Sequence, residues 1–175
     1  MKEITCKKLK PESFARFGSF ADMIRPEANT PASVTLCNPP IEFFRDMLQS
    51  GLGLDSVASF GVCRVGPRPQ VIDASEYHDG ACEALMPIDG DVVIAVAPAV
   101  AGSAFPGDAA GAYLVPKGTM VVLRPGVWHH GPFVVGTETV SCLVALPERL
   151  YARDCVEIKL SEAEKIKIVG GALKA

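Results

Sequence analysis

Three histidines serve the whole chain, and all three fall in two short stretches. The first runs Glu76-Tyr77-His78-Asp79-Gly80-Ala81-Cys82-Glu83, the second Gly126-Val127-Trp128-His129-His130. The second also holds the only tryptophan. Imidazole is the usual neutral metal ligand and the usual acid/base group near neutral pH. Glu76 and His78 are two residues apart, so on a strand they share one face. Glu83 lies past a turn at Gly80 and can return to that face on the next strand. His129 comes from a separate strand pair. Glu76, His78, Glu83 and His129 together offer O, N, O and N donors. That set suits a divalent first-row ion such as Mn, Fe, Ni or Zn, not a thiolate site. The bland alternative makes Glu76 an exposed strand residue and His78 a hydrogen-bonded core residue.

The same chemistry names further candidates. Whichever of Glu76 and Glu83 is not a ligand would be a catalytic acid or base. His130 cannot point the same way as His129 on one strand. It either supports a catalytic group or is structural. Trp128 is a pocket wall against substrate or a packer at the barrel end. Arg64 interrupts an apolar strand and is the candidate to hold a substrate carboxylate, because Arg binds carboxylates bidentately. Its alternative is a surface strand residue. Lys117 and Arg124 sit on turns and read as solvated. Cys82 lies inside the first stretch and could line the pocket.

Many short strands are needed to bring these residues together. Residues 57–65, 71–73, 91–97, 112–115, 120–123, 139–146 and 156–160 read as strands, separated by Gly/Pro turns. Residues 11–18 read as a short helix with Pro11 at its start and Gly18 at its end. Asn38-Pro39-Pro40 is expected to open a helix to about Gln49, with Ile41, Phe44, Met47 and Leu48 on one face. Residues 98–111 form a loop, either a plain surface loop or a lid. This texture predicts a sandwich or barrel, not alternating βαβ units.

A chain of 175 residues with 49% hydrophobic content is expected to form one domain with its own core. Its net charge of −3 and the lack of a basic tract argue against a nucleic-acid partner. No apolar run is long enough for a membrane span, and the first residues lack the apolar stretch of a signal peptide. The six cysteines form no C-x-x-C pair. Reduced, mostly buried thiols and a cytoplasmic location are expected.

The two stretches resemble the motifs of the cupin superfamily, a double-stranded β-helix barrel. Glu76, His78, Glu83 and Gly90 match its first motif, although the first position is normally histidine. Gly118, Pro125, Gly126 and His129 match the second. Within the cupins the chain is similar to the ureidoglycolate lyase family. Glu76-Tyr77-His78 stands where that family has Glu-Arg-His. Glu83-Ala84-Leu85-Met86-Pro87-Ile88 stands where it has Gln-Ala-Phe-x-Pro-Leu. Gly126-Val127-Trp128-His129-His130 is the family's sequence unchanged. Val92-Val93-Ile94-Ala95-Val96-Ala97 and Ser13-Phe14-Ala15-Arg16-Phe17-Gly18 also match. The likeness runs over residues 11–132, and residues 131–160 are unlike the family.

The resemblance implies a mainly β, cupin-type barrel with a few short peripheral helices and a core about residues 57–160. It also implies elimination of urea from a small polar hydroxy acid, giving glyoxylate, and a homodimer, with the strand at 156–160 as one contact. Two other readings stand beside it. One is a different metal-dependent cupin enzyme, such as a sugar isomerase or epimerase. The other is a non-catalytic cupin that binds a small ligand.

Overall fold

Val92 to Ala97 is apolar at every position, a pattern that requires a strand covered on both faces. The computed structural model describes residues 1–26, 35–38, 41–53 and 57–170, and it places this strand at the centre of a large sheet. In chain order the strands begin β1 (Lys2–Lys8), β2 (Gly18–Asp22), β3 (Thr35–Asn38), β4 (Ile41–Phe44), β5 (Ala58–Val65), β6 (Val71–Ile72), β7 (Ala74–Tyr77) and β8 (Glu83–Pro87). They continue β9 (Val92–Ala97), β10 (Gly111–Val115), β11 (Thr119–Leu123), β12 (Trp128–His129), β13 (Phe133–Val134), β14 (Val140–Pro147), β15 (Val156–Lys159) and β16 (Ile166–Val169). Two four-residue helices, α1 (Pro11–Phe14) and α2 (Leu150–Arg153), interrupt them.

One sheet has nine strands in the order β15-β7-β12-β9-β10-β1-β16-β6, with β13 also paired to β9. The other has five, in the order β2-β11-β8-β14-β5. Leu85, Val121, Leu123 and Cys142 of the smaller sheet pack against Ile94, Val96, Tyr113 and Val115 of the larger. Val93 and Ala95, on the other face of β9, join Cys6, Ile72 and Ile166 in a second cluster. This accounts for the unbroken apolar run. The molecule is therefore the expected mainly β, cupin-type barrel with short helices. Sheet membership reaches beyond residues 57–160: β1 pairs in parallel with both β10 and β16, and β2 lies antiparallel to β11.

The helix expected from Pro11 is real but brief. Its Phe14 and the following Phe17 are fully buried, with Phe14 edge-on to Tyr113 at 5.2 Å. The helix expected from Asn38 to Gln49 is not formed. Thr35–Asn38 and Ile41–Phe44 pair as an antiparallel hairpin, Asn38 opposite Ile41. A residue before proline is driven to extended backbone, and Ile41, Phe43 and Phe44 favour strands. Pro39 and Pro40 themselves lie outside the described residues.

The loop at 98–111 carries a single 3-10 turn, Gly107–Ala109, and docks Phe105 on Trp128, ring centroids 5.8 Å apart. It covers the outer face of β12, and Phe105 borders a small crevice that His129 and His130 also line. Cys6, Cys63, Cys82, Cys142 and Cys155 are free thiols, of which Cys6 and Cys142 are buried. The side chain of Cys37 lies outside the described residues. Strand β15 forms one edge of the larger sheet and exposes Val156. Among the described residues, no helix is long and apolar enough to cross a membrane.

Candidate metal centre and its cavity

Strands β7 and β12 run antiparallel, with Glu76 directly opposite His129. After Tyr77 the chain turns at Asp79-Gly80 and crosses to the smaller sheet, where Glu83 starts β8. Glu83 thus faces Glu76 and His129 from the other wall of the barrel. One glycine fixes the approach of the second stretch. Gly126 has φ 76°, the left-handed region that glycine tolerates. Its N–H donates to the carbonyl of His78 at 2.7 Å. A Cβ there would stand 2.9 Å from the Cβ of Ala99.

The ligand atoms of Glu76, His78 and His129 lie within 4.8 Å of one another, and all three residues are buried. Nδ1 of His78 is 2.7 Å from the carbonyl oxygen of Asp154, and Nδ1 of His129 is 2.8 Å from that of Val127. A carbonyl only accepts, so each Nδ1 carries the proton and donates it. Both Nε2 atoms then turn inward, toward Oε2 of Glu83, at 3.5 Å from His78 and 3.1 Å from His129. Tethering of one imidazole nitrogen to orient the other is the usual support of a metal-bound histidine. Nε2 of His78 is buried and has no hydrogen-bond partner. A buried orphan nitrogen is costly, and a cation at this point would satisfy it. The donor set and the orphan atom both fit a divalent ion.

Charge is organised around Glu83. Burial alone would raise its pKa, but the imidazole of His129, with that of His78, outweighs this and holds it at about 2. Burial alone would lower His129. The carboxylate of Glu83 overrides that and lifts it to about 9. Without a cation, therefore, Glu83 and His129 form a buried ion pair. At Cys155, burial and then the neighbouring carboxylate of Glu76 push the thiol up to about 12. The thiol donates to Glu76 at 3.5 Å.

A strap of consecutive residues closes this corner, and it carried no signal in the sequence. Leu150 is buried and anchors α2. The ring of Tyr151 stands edge-on to His78, centroids 5.7 Å apart. The carbonyl of Asp154 holds His78, and its carboxylate accepts from the N–H groups of Asp79 and Gly80, both at 2.8 Å. Cys155 follows on Glu76. A cavity of about 470 Å³ opens beside the cluster, between the inner faces of β5 and β14 and the strap. Cys63 and Tyr151 line it. Both feel the charge of Glu83 and Glu76, after burial the next cause of their raised pKa values. Tyr151 thus borders both the cavity and His78.

Of the remaining expected site residues, His130 borders a crevice shared with Glu83 and His129, and the others stand elsewhere. Arg64 is exposed on the outer face of β5, because its neighbours Cys63 and Val65 turn inward and strand side chains alternate. Trp128 is 1% exposed and packs between Tyr77, at 4.5 Å, and Phe105, on the face of β12 opposite His129. His130 is half-buried just beyond β12, flanked by crevices of about 10 Å³ that hold at most a water. Cys82 packs with Ala84, Val122 and Ala145 on the outer face of the smaller sheet, away from the cluster. Lys117 and Arg124 are exposed.

Comparison with known proteins adds the following. A family model described as Ureidoglycolate lyase matches residues 1–167. Among curated proteins, none matches the sequence. The fold is similar to a dTDP sugar isomerase from Desulfovibrio desulfuricans G20, with a TM-score of 0.49 and 13% identity over 74% of this chain and 82% of that one. It is similar to a 4-keto-6-deoxy sugar epimerase from Streptomyces spheroides, with a TM-score of 0.45 and 18% identity over 73% and 66%. It is also similar to an oxalate decarboxylase of Bacillus subtilis, with a TM-score of 0.43 and 14% identity over 61% of this chain. The match spans 25% of that longer chain.

Proposed function

This chain belongs to the ureidoglycolate lyase family, and on that premise we propose that it is a metal-dependent lyase that splits ureidoglycolate into glyoxylate and urea. The observation that carries the reading is the pair of imidazoles tethered through Nδ1, with both Nε2 atoms turned to one carboxylate beside an open cavity.

Glu76, His78 and His129 are the residues that would hold a divalent ion of the Mn, Fe, Ni or Zn type. When bound, such an ion polarises the substrate hydroxyl and lowers its pKa. Glu83 is the proton acceptor. It faces the two Nε2 atoms from the opposite wall of the barrel, 3.1 Å from His129 and 3.5 Å from His78, where a proton of the substrate hydroxyl would be taken up. The carbinol hydroxyl loses its proton to Glu83, and the C–O bond becomes a carbonyl. The C–N bond breaks with its electron pair on nitrogen, and Glu83 returns the proton there. Glyoxylate and urea account for every atom, and no oxidant is needed. His130, set behind His129, is not required for either transfer.

The test measures metal content and urea release on the purified chain and on variants. Stoichiometric metal that is lost in the double variant His78→Ala/His129→Ala is expected. Glu83→Gln should keep the metal and lose about 100-fold or more in urea release, the scale of a general base. Unchanged turnover in Glu83→Gln at saturating metal overturns the assignment of the base. No urea with any of the four metals, with epimerised or isomerised sugars instead, overturns the lyase.

A further inference from the structure

Tyr151 lines the cavity and stands edge-on to His78, so the cluster with its two carboxylates, Glu76 and Glu83, lies just past that ring. An anionic substrate entering there meets repulsion unless a cation offsets it. The cavity walls are mostly backbone, small or apolar groups, among them Gly61, Cys63, Val144 and Leu146. Arg149 is the one charged residue among those lining it.

Three observations single out this arginine. It is exposed at the rim and, among the described residues, makes no ion pair or side-chain hydrogen bond. Its backbone is left-handed, φ 56° and ψ 29°, where glycine or asparagine is the ordinary occupant. Strain of this kind in a non-glycine residue points to use of its side chain. And the other candidates fall away: Arg153, on α2, does not line the cavity, and Arg68 and Arg64 are committed or misdirected. The guanidinium of Arg68 donates to the carbonyls of Gly131 and Pro132 and lies 3.9 Å over the ring of Phe133. Arg64 is on the outer face of β5.

We propose that Arg149 is the carboxylate anchor of the cavity, holding a small 2-hydroxy acid at the rim so that its hydroxyl-bearing carbon reaches Glu83. The inference deepens the lyase reading and rests on its substrate class. A planar guanidinium takes both oxygens of a carboxylate at once. Tyr151, two residues on, lines the same cavity and stands edge-on to His78. The anchor also separates two tasks: Arg149 takes the carboxylate, which leaves the hydroxyl free to approach the cluster.

The test titrates glycolate and its uncharged counterpart glycolamide into the purified full-length chain, before and after chelation. Wild type is compared with Arg149→Lys, Arg149→Gly and Arg149→Asn. Glycine and asparagine suit the left-handed backbone, so these variants keep the fold, which an unlowered thermal midpoint verifies. Wild type should prefer glycolate by about ten- to a hundredfold, the worth of a charge-assisted pair. The preference should survive chelation, shrink in Arg149→Lys and vanish in the two uncharged variants. No preference in wild type, or one that persists without Arg149, overturns the anchor. A preference abolished by chelation does the same, since the carboxylate would then sit on a bound ion. Urea release run in parallel separates this proposal from the one it rests on. An Arg149-dependent glycolate preference without any urea release sinks the lyase and upholds the anchor. Urea release whose KM is unmoved in Arg149→Gly sinks the anchor and upholds the lyase.

Discussion

Burial pushes Glu83 toward its neutral acid and His129 toward its neutral base, and their contact reverses both tendencies. The two shifts are one interaction seen from either side, so they are not added. Their signs set a pH window for the metal-free chain. His129 is raised from 6.5 to about 9, so its contribution is whole below 6.5 and is lost as pH rises through about 9. Glu83 is lowered from 4.5 to about 2, so its contribution is whole above 4.5 and is lost as pH falls through about 2. In chelator, the stability that the pair supplies should therefore be greatest between 4.5 and 6.5 and decline toward pH 9. Denaturant midpoints of wild type and His129→Gln across pH 5 to 9.5 check this. A gap that widens with rising pH would contradict it. The candidate ligands were legible in the sequence because histidine is scarce here and its spacing is informative. Arg64 stayed open between a carboxylate holder and a surface strand residue because both faces of its strand carry apolar residues, and the structure has it exposed. Asp154 gave no signal, since it serves His78 through a backbone carbonyl that any residue possesses.

Over residues 59–63, strand β5 turns its bulky side chains out and its small ones in, and only at Val65 does a bulky residue join the core. Phe60 and Val62 are 71% and 61% exposed, while Ser59, Gly61 and Cys63 line the cavity. A Cβ on Gly61 would meet nothing within 4 Å. Gly61→Val should thus leave stability unchanged or raise it by about 0.5–1 kcal/mol, through lost unfolded-state entropy. It should also raise the KM of any cavity substrate. Thermal unfolding and kinetics run side by side would test it, and a destabilised but fully active variant would refute it. The strap offers the opposite case. Asp154→Ala removes two bonds to Asp79 and Gly80 and frees the carbonyl that steers His78. A cost of about 1–2 kcal/mol in stability is expected, with metal affinity lower by about 10–100-fold. Competition against a chelating dye measures the affinity, and an unchanged value would remove the strap from the site. Most strands of the barrel were legible from runs of apolar and β-branched residues. A short strand at residues 34–36 was legible ahead of the hairpin, but its second arm, Ile41–Phe44, was not, because Ile41, Phe44, Met47 and Leu48 keep a helical spacing. Strands β1 and β16 escaped for another reason: they form by pairing with each other across nearly the whole chain.

The cluster draws on both walls of the molecule. Glu76 and His129 come from the nine-stranded sheet, Glu83 from the five-stranded one, and the strap after β14 holds His78 from behind. An ion bound there by the folded chain alone stabilises the whole barrel by mass action, not merely one loop. At a free concentration near a thousand times Kd, that gain is about 4 kcal/mol. For a chain of this length it corresponds to a rise in Tm of about 8–16 °C. Thermal unfolding of chelated protein, titrated with Mn, Fe, Ni or Zn salts, should show one cooperative transition moving upward with metal concentration. The double variant His78→Ala/His129→Ala should not respond. The Arg149→Gly variant should respond as wild type does, because its charge lies at the rim and not among the ligands. A metal-induced shift that survives removal of both histidines would place the ion elsewhere. A transition that splits in two on metal addition would mean that the sheets do not fold as one unit around it.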